Sequence, residues 1–208
     1  MTTRIKICGI TTLEDALLAT QLGADALGFV FSQSPRHISP EKAHDIVSQL
    51  PPFIHTVGVF ANEPLRKIVE TLDSCSIDVV QLHGDESQKY CQELKEFNKK
   101  IIKAIRVRDE LSLLELLSFD VDAYLLDSYS KEAYGGTGKT FDWELLKGKA
   151  FSKPVILSGG LDASNVAEAI QFFQPYAVDA SSRLEKEPGF KDPSKVKTFI
   201  KAVRDLEK

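Results

Sequence analysis

Eight short apolar segments recur along the chain and constrain its fold more than any other feature of the sequence. They begin roughly 20 to 30 residues apart, which is about the length of one strand-plus-helix unit. Each is almost continuously aliphatic, as expected for a parallel strand that is covered on both faces. The predicted strands are residues 5–8, 26–31, 56–60, 79–82, 101–105, 123–126, 154–157 and 177–178.

The segments between these strands carry signals for the start and the end of helices. Thr11 and Glu14 have the spacing of a capping box, which predicts a helix that begins there and ends at Gly23. Ser39 followed by Pro40 predicts the start of a second helix, which reaches about residue 50. Further helix starts are predicted at Asn62, at Asp162 or Ser164, and at Ser194.

This alternation of strands and helices is compatible with two architectures, a closed (β/α)8 barrel and an open doubly wound sheet. The doubly wound sheet predicts a glycine-rich dinucleotide turn after the first strand. The sequence Cys-Gly-Ile-Thr at residues 8–11 is not such a turn. We therefore predict an α/β protein with a single (β/α)8 TIM barrel that spans residues 1–208 as one domain, a short example of the fold.

The composition argues against several classes of function. The chain has 26 basic and 30 acidic residues and a net charge of −4, whereas nucleic-acid-binding proteins present a basic surface. No apolar run approaches the roughly 20 residues of a membrane span, and the N-terminus lacks the pattern of a signal peptide. The 3 cysteines form no CxxC pair, which argues against a disulfide scaffold or a zinc site. We expect a cytoplasmic protein with no nucleic-acid partner, no membrane partner and no bound metal.

Cys8 ends the first predicted strand, and in a barrel the functional groups gather at the carboxyl ends of the strands. An isolated strand cysteine is most often a small buried hydrophobe. The alternative is a thiolate base or nucleophile whose pKa is lowered by a nearby cation. Lys6 is the available cation, because residues two apart on a strand share a face. The residues alone leave both interpretations open.

Asp127 follows the sixth predicted strand and also has two interpretations. It is either a loop carboxylate that accepts local backbone N–H groups, or a general acid that burial or a neighbouring charge keeps protonated. A thiol and a carboxyl group on one rim could move protons to and from the same sugar.

Two small-residue turns end the seventh and eighth predicted strands. The first contains Gly159 and Gly160, and the second contains Ser181 and Ser182. Glycine and serine are common in any tight turn between a strand and a helix. Barrels, however, also place their phosphate site after these two strands, where backbone N–H groups bind the anion. The position of both turns favours a phosphate site.

Three further polar residues at strand ends are candidates for substrate binding. Arg36 could hold a carboxylate through two hydrogen bonds, although most loop arginines are simply solvated. Gln81 and His83 flank the end of the fourth strand, where His83 either positions the substrate or satisfies the backbone of its loop. Cys75 and Cys91 lie on helical segments and are interpreted as structural.

The glycine-rich segment 134–140 resembles two nucleotide-binding motifs without satisfying either. A P-loop would require glycine at position 133, where the chain has Ala133, and a dinucleotide turn would require glycine at position 141, where it has Phe141. We interpret the segment as a loop that closes over or contacts the substrate, and we expect no nucleotide cofactor.

Taken in order, the strand-end motifs resemble the phosphoribosylanthranilate isomerase family of tryptophan biosynthesis. The resemblance runs from about residue 4 to the end of the chain, and the ordered set is specific although each piece alone is weak. The motifs are KICGIT (6–11), GFVF (28–31) with SPR (34–36), VGVF (57–60), VQLHG (80–84), LDS (126–128), GGTG (135–138) through FDW (141–143), LSGGL (157–161) and VDASS (178–182).

The resemblance implies an Amadori rearrangement of N-(5'-phosphoribosyl)anthranilate that needs no cofactor. By this resemblance, Asp127 protonates the ring oxygen of the sugar and Cys8 removes the proton from C2. Arg36 would hold the anthranilate carboxylate, while the turns at 159–160 and 181–182 would hold the phosphate. The implied partner is therefore a small phosphorylated substrate, and we favour a monomer over a dimer.

The chain departs from the family at Arg183, where the family usually has glycine. Arg183 is either a strained substitute for that glycine or an additional contact to phosphate. Two other functions stay open, namely a different phosphosugar enzyme, and an inactive barrel that only binds a phosphorylated metabolite.

Overall fold

The parallel strands of the protein form a closed barrel in which neighbours in the chain are neighbours in space, and β8 pairs with β1. The computed structural model describes residues 2–128 and 143–207. The predicted (β/α)8 barrel is confirmed. Its strands are β1 (Arg4–Cys8), β2 (Ala26–Val30), β3 (His55–Phe60), β4 (Val79–Leu82), β5 (Lys100–Val107), β6 (Ala123–Ser128), β7 (Val155–Leu157) and β8 (Ala177–Ala180).

Seven α-helices in the described residues cover the outside of this barrel. None of these helices has the length and apolar character needed to cross a membrane. They are α1 (Leu13–Leu22), α2 (Pro40–Val47), α3 (Leu65–Ser74), α4 (Gln88–Lys95), α5 (Glu110–Leu116), α6 (Val166–Phe173) and α7 (Pro193–Arg204). A hairpin of two short strands, β9 (Glu185–Glu187) and β10 (Phe190–Lys191), is inserted between β8 and α7.

The strands coincide with the eight apolar segments, but β6 and β8 extend further than their apolar residues. Asp127 therefore belongs to β6 and does not follow it, because pairing of Arg106 with Asp127 continues the ladder between β5 and β6. In the same way, Asp179 lies within β8 and pairs with Lys6 of β1. Both carboxylates are thus held by the rigid barrel and not by a loop.

The start of the first helix differs by one residue from the prediction. Thr12, and not Thr11, caps α1 by accepting the Asp15 N–H, while the Thr11 hydroxyl donates to the carbonyl of Gly189. Gly23 ends the helix as predicted, with a φ of 104° in the left-handed region. The cap of α2 by Ser39 is also confirmed.

The other three predicted helix starts are wrong by one to three residues. Asn62 has a φ of 56° and accepts the Asp85 N–H, so it joins two loops and does not begin α3, which follows Pro64. The side chain of Asp192 caps α7 in place of Ser194. In α6, Asn165 precedes the first helical residue in place of Asp162 or Ser164.

Two apolar clusters hold the barrel together. The larger lies between the strands and the helices, and the smaller lies inside the barrel, because successive strand residues such as Ile101 and Ile102 belong to different clusters. Each fully buried aliphatic side chain contributes about 1.5 to 3 kcal/mol. The interior cluster comprises Val57, Ile102, Ala104, Leu125, Ile156 and Ala177.

A buried ion pair fixes the loop that follows β4. Lys103 Nζ lies 2.8 Å from Glu86 Oε2 and 2.7 Å from the carbonyl oxygen of Gly84. The other oxygen of Glu86 accepts the Asn62 N–H at 2.8 Å. This network joins β5 to the loops after β3 and β4, and so it fixes the backbone that carries His83.

Candidate active site

A cavity of about 740 Å³ opens at the carboxyl ends of the barrel strands. It brings together all the site residues predicted from the sequence except Gln81. The predicted residues that line it are Cys8, Arg36, His83, Asp127, Gly159, Gly160, Ser181 and Ser182.

Cys8 lies at the end of β1, where its side chain has room only because its partner on β2 is glycine. Gly28 pairs with Cys8, and a Cβ atom at Gly28 would lie 2.6 Å from Cys8 Sγ. The thiol is buried but contributes to the wall of the cavity. The pairing therefore directs a nearly desolvated sulfur atom toward any bound molecule.

The charges beneath Cys8 nearly balance. Lys6 Nζ lies 2.9 Å from Asp179 Oδ1, and both side chains are buried. Burial raises the pKa of the Cys8 thiol and Asp179 raises it further, while Lys6 and Lys191 oppose this rise without cancelling it. Lys6 therefore does not lower the pKa of Cys8 below its usual value, because burial of the thiol, with a smaller contribution from Asp179, outweighs the effect of Lys6.

A chain of hydrogen bonds leads to Asp127. The Gln81 Nε2 atom lies 2.9 Å from His83 Nδ1, and His83 Nε2 lies 3.0 Å from Asp127 Oδ2. Because an amide nitrogen can only donate, Nδ1 of His83 accepts and its Nε2–H donates to Asp127. The other oxygen of Asp127 accepts the Ser128 N–H at 2.8 Å.

Gln81, which was predicted to bind the substrate, does not line the cavity. It is fully buried, and its amide contacts His83 instead. Gln81 and His83 are two residues apart and share a face, but Gln81 lies within β4 whereas His83 follows the strand at the rim of the barrel.

Arg36 is not the solvated loop arginine of the alternative interpretation. Its Nε and Nη2 atoms donate to the two carboxylate oxygens of Glu185 at 2.8 and 2.7 Å. Its aliphatic stem packs on Gly9, which has a φ of 78° and where a Cβ atom would lie 2.7 Å from Arg36 Cδ. Arg36 thereby lies against the backbone that directly follows Cys8.

The turn at Gly159 and Gly160 requires glycine for its backbone conformation. Their φ angles are 89° and 66°, and a Cβ atom at Gly159 would lie 2.6 Å from the backbone nitrogen of Ser128. The turn at Ser181 and Ser182 lies on the same cavity and leads into a short 3-10 helix, Ser182–Leu184. Both turns therefore line the same cavity.

Arg183 lies in that 3-10 helix and lines the cavity. Its φ is not positive, so the interpretation of Arg183 as a strained substitute for glycine is wrong. The turn accommodates a side chain here because the 3-10 conformation lies in the ordinary right-handed region.

Sequence reasoning missed Glu185 and Lys191, which are buried beneath the cavity wall. Lys191 Nζ contacts Glu185 Oε1 at 2.9 Å and the carbonyl oxygen of Cys8 at 2.6 Å. Nothing in the local sequence distinguishes Lys191 from a surface lysine, since it lies in a short segment rich in charged residues. Only the closure of the barrel brings it to the end of β1.

Two other polar residues near the strand ends lie outside the cavity lining. Arg106 pairs with Asp85, and neither Arg106 nor Asn62 lines the cavity. The glycine-rich segment 134–140 lies outside the described residues. Within residues 2–128 and 143–207, no group of three histidine, cysteine or acidic side chains is arranged to hold a metal ion.

Comparison with known proteins identifies one family. The family model for N-(5'-phosphoribosyl)anthranilate (PRA) isomerase matches residues 5–202. The N-(5'-phosphoribosyl)anthranilate isomerase of Pelobacter propionicus is 52% identical over 203 residues, which cover 97% of this chain and 96% of that protein.

Solved structures agree with this match. The phosphoribosyl anthranilate isomerase of Thermotoga maritima is 44% identical, with a TM-score of 0.91 over 99% of this chain and all of that one. A second isomerase structure, in complex with reduced 1-(o-carboxyphenylamino)-1-deoxyribulose 5-phosphate, is 42% identical, with a TM-score of 0.87 over 99% of this chain and 100% of that chain.

Proposed function

The chain belongs to the N-(5'-phosphoribosyl)anthranilate isomerase family, and we propose that in its reaction Cys8 is the general base and Asp127 the general acid. As an isomerase of tryptophan biosynthesis, it converts N-(5'-phosphoribosyl)anthranilate into 1-(2-carboxyphenylamino)-1-deoxyribulose 5-phosphate.

The placement of Cys8 and Asp127 on one cavity carries this proposal. They lie on β1 and β6, three strands apart around the closed barrel. Arg36 lies on the same cavity, as do the turns at 159–160 and 181–182. An isomerisation of this kind needs one acid and one base on the same sugar, together with a binding site for the anion at each end of the substrate.

The reaction begins at the ring oxygen of the sugar. Asp127 donates a proton to this oxygen as its bond to C1 breaks, and the lone pair of the anthranilate nitrogen forms a protonated Schiff base with C1. The Cys8 thiolate then removes the proton from C2, and the electron pair of that C–H bond forms an enolamine. Loss of the C2 hydroxyl proton and protonation of C1 give the ketone. C1 is reduced as C2 is oxidised, so no external electron donor is needed.

The substrate itself helps to form the thiolate. Burial raises the pKa of Cys8, so the thiol form is favoured before ring opening. The Schiff base places a positive charge beside the sulfur atom, in addition to those of Lys6 and Lys191. An added positive charge favours the ionised thiol. We therefore expect Cys8 to release its proton to solvent once Asp127 has opened the ring, and only then to act as a base.

The substrate carries a different anionic group at each end, a carboxylate on the aromatic ring and a phosphate on the sugar. Arg36 binds the carboxylate of the aromatic ring, next to apolar wall residues Val30 and Phe60. The phosphate binds at the backbone of Gly160 and Ser182. Holding both anions places the sugar between the acid and the base.

Loss of the fluorescence of synthetic N-(5'-phosphoribosyl)anthranilate on addition of the purified protein tests the proposal. Turnover by the wild type and its absence in Cys8→Ala and Asp127→Asn support the assigned roles. Phosphate binding without turnover in the wild type would instead support an inactive metabolite-binding barrel. Sedimentation of the same sample tests the predicted monomer.

A further inference from the structure

Glu185 lies between two cations beneath the wall of the cavity. Its two carboxylate oxygens accept from Arg36 Nε and Nη2 at 2.8 and 2.7 Å, and Oε1 also lies 2.9 Å from Lys191 Nζ. The side chain of Lys191 is completely buried, and that of Glu185 is 4% exposed. A carboxylate that is enclosed in this way has little freedom to rotate.

The contact with Glu185 uses only one edge of the Arg36 guanidinium group. Nη1 and the second proton of Nη2 form the other edge, and no hydrogen bond from Nη1 to the described residues is present. Arg36 lines the cavity. Because the group is planar, fixing one edge also fixes the plane in which the other edge can bind a second carboxylate through two hydrogen bonds.

Lys191 connects this pair to the rest of the site. Its ammonium group lies 2.6 Å from the carbonyl oxygen of Cys8 and 3.4 Å from that of Ser181. With one negative charge between two positive ones, Arg36, Glu185 and Lys191 together carry a net charge of +1. Without Lys191, Glu185 would cancel the charge that Arg36 offers to an anion.

We propose that Glu185 is a positioning residue that Lys191 holds in place and that fixes the free edge of Arg36 toward the carboxylate on the aromatic ring of the substrate. This inference rests on the proposed function, in which Arg36 binds that carboxylate. It extends the function to two residues that do not react and assigns to them the recognition of the anthranilate half of the substrate.

The effect of Glu185→Gln on anion binding depends on whether Glu185 positions Arg36 or competes with the substrate for it. If Glu185 only competed with the substrate for the charge of Arg36, then Glu185→Gln would raise the net charge of the cluster and tighten anion binding. If Glu185 positions Arg36, the same substitution loses one of the two hydrogen bonds and releases the guanidinium plane, so binding of the carboxylate weakens.

Inhibition constants for two ligands distinguish these interpretations. The first ligand is reduced 1-(o-carboxyphenylamino)-1-deoxyribulose 5-phosphate, and the second is its phenylamino analogue, which lacks the carboxylate. We expect Glu185→Gln to weaken the first ligand by about 10-fold or more and to leave the second unchanged. Glu187→Gln, an exposed carboxylate on the same strand, should affect neither. Equal or tighter binding of the first ligand, or equal weakening of both, would overturn the inference.

A double-mutant cycle with Arg36→Met separates this inference from the proposed function. If Glu185 acts through Arg36, Glu185→Gln has no further effect on the carboxylated ligand when Arg36 is already replaced. Wild-type affinity of Arg36→Met for both ligands would overturn the proposed role of Arg36. A selective loss in Arg36→Met without a loss in Glu185→Gln would overturn only the positioning role of Glu185.

If Glu185→Gln does not fold, the variant Arg36→Lys tests the same inference. Arg36→Lys keeps the charge at a partly exposed position but lacks the planar fork. We expect it to lose affinity for the carboxylated ligand nearly as much as Arg36→Met does, with an unchanged melting temperature. Wild-type affinity in Arg36→Lys would show that charge alone suffices and would overturn the inference.

Discussion

His83 Nε2 donates a hydrogen bond of 3.0 Å to Asp127 Oδ2 across 44 positions of the chain. His83 follows β4 and Asp127 lies on β6, so the contact passes over the intervening strand β5. Together with the Ser128 N–H on the other oxygen, it fixes the orientation of the Asp127 carboxyl group. The proposed acid is therefore held on both of its oxygen atoms.

Asp127→Asn should reduce kcat by about 100- to 10,000-fold, because an amide of nearly the same shape cannot transfer the proton. The pH profile of the residual activity should lose its alkaline limb, which reports loss of the proton from the acid. Inhibition by inorganic phosphate should not change, since the phosphate site lies on other strands. An unchanged pH profile would remove Asp127 from the role of acid.

His83→Ala should lower kcat less than Asp127→Asn does, because it releases the carboxyl group without removing it. In the Asp127→Asn background, His83→Ala should have little further effect on kcat, since residues that act as a unit are not additive. His44→Ala, an exposed histidine on α2, is the matched control. Full additivity of the two effects would show that His83 acts independently of Asp127.

Cys8→Ala should abolish turnover while it leaves the melting temperature and the affinity for the product nearly unchanged. A positioned base commonly contributes about 100- to 10,000-fold. Cys75→Ala is the matched control, because burial raises the pKa of Cys75 to about 11 and its side chain lies away from the cavity. If Cys8→Ala kept a kcat near that of the wild type, the mechanism would need another base.

The sequence predicted the barrel because both faces of each parallel strand are buried, and this requirement leaves a continuous apolar segment. It also predicted which cavity Cys8 and Asp127 share, since all strand ends meet on one rim. It did not predict that Asp127 is bound by His83, because strand position specifies a rim and not a hydrogen bond.

Local sequence patterns could not predict the contacts between the two ends of the chain. Lys191 reaches the backbone of Cys8 across 183 positions, and this contact exists only once the barrel has closed. The incorrect helix starts have a similar cause. Asn62 has the side chain of a cap, but this side chain accepts the Asp85 N–H of a neighbouring loop instead, and the Asn62 backbone N–H donates to Glu86.

Asp25→Asn should destabilise the protein at neutral pH and much less in acid. Asp25 accepts the Ile5 N–H at 2.8 Å and forms ion pairs with Arg4 and Arg204, so it joins β1 to α7. Burial opposes ionisation, but these contacts outweigh it and lower the pKa of Asp25. A lowered pKa in the folded protein gives stability that is present above the unfolded value of about 4 and is lost as the pH falls further.

Melting temperatures between neutral pH and roughly pH 3 check this prediction for Asp25. The difference between wild type and Asp25→Asn should shrink as the pH falls through the lowered pKa of Asp25. Asp73→Asn, on the exposed side of α3, should show little difference at any pH. A difference that stays constant over the whole range would show that the charge of Asp25 does not contribute to stability.

Arg183→Ala should weaken inhibition by inorganic phosphate, because Arg183 lines the cavity beside the proposed phosphate turn. An exposed charge contact contributes about 0.2 to 1 kcal/mol, which corresponds to a loss of up to about five-fold. The loss should disappear in about 1 M salt, where charges are screened within about 3 Å, and Arg183→Lys should retain most of the affinity. Lys186→Ala, an exposed lysine on β9, is the matched control.

Arg183→Gly tests the backbone at the same position. Because Arg183 has an ordinary φ, glycine relieves no strain and should lower stability by about 0.5 to 1 kcal/mol through the added freedom of the unfolded chain. Its phosphate affinity should match that of Arg183→Ala, since both variants lack the guanidinium group. Tighter phosphate binding together with a higher melting temperature would mean that glycine is the better residue for this turn, and that Arg183 does not contribute to holding the phosphate.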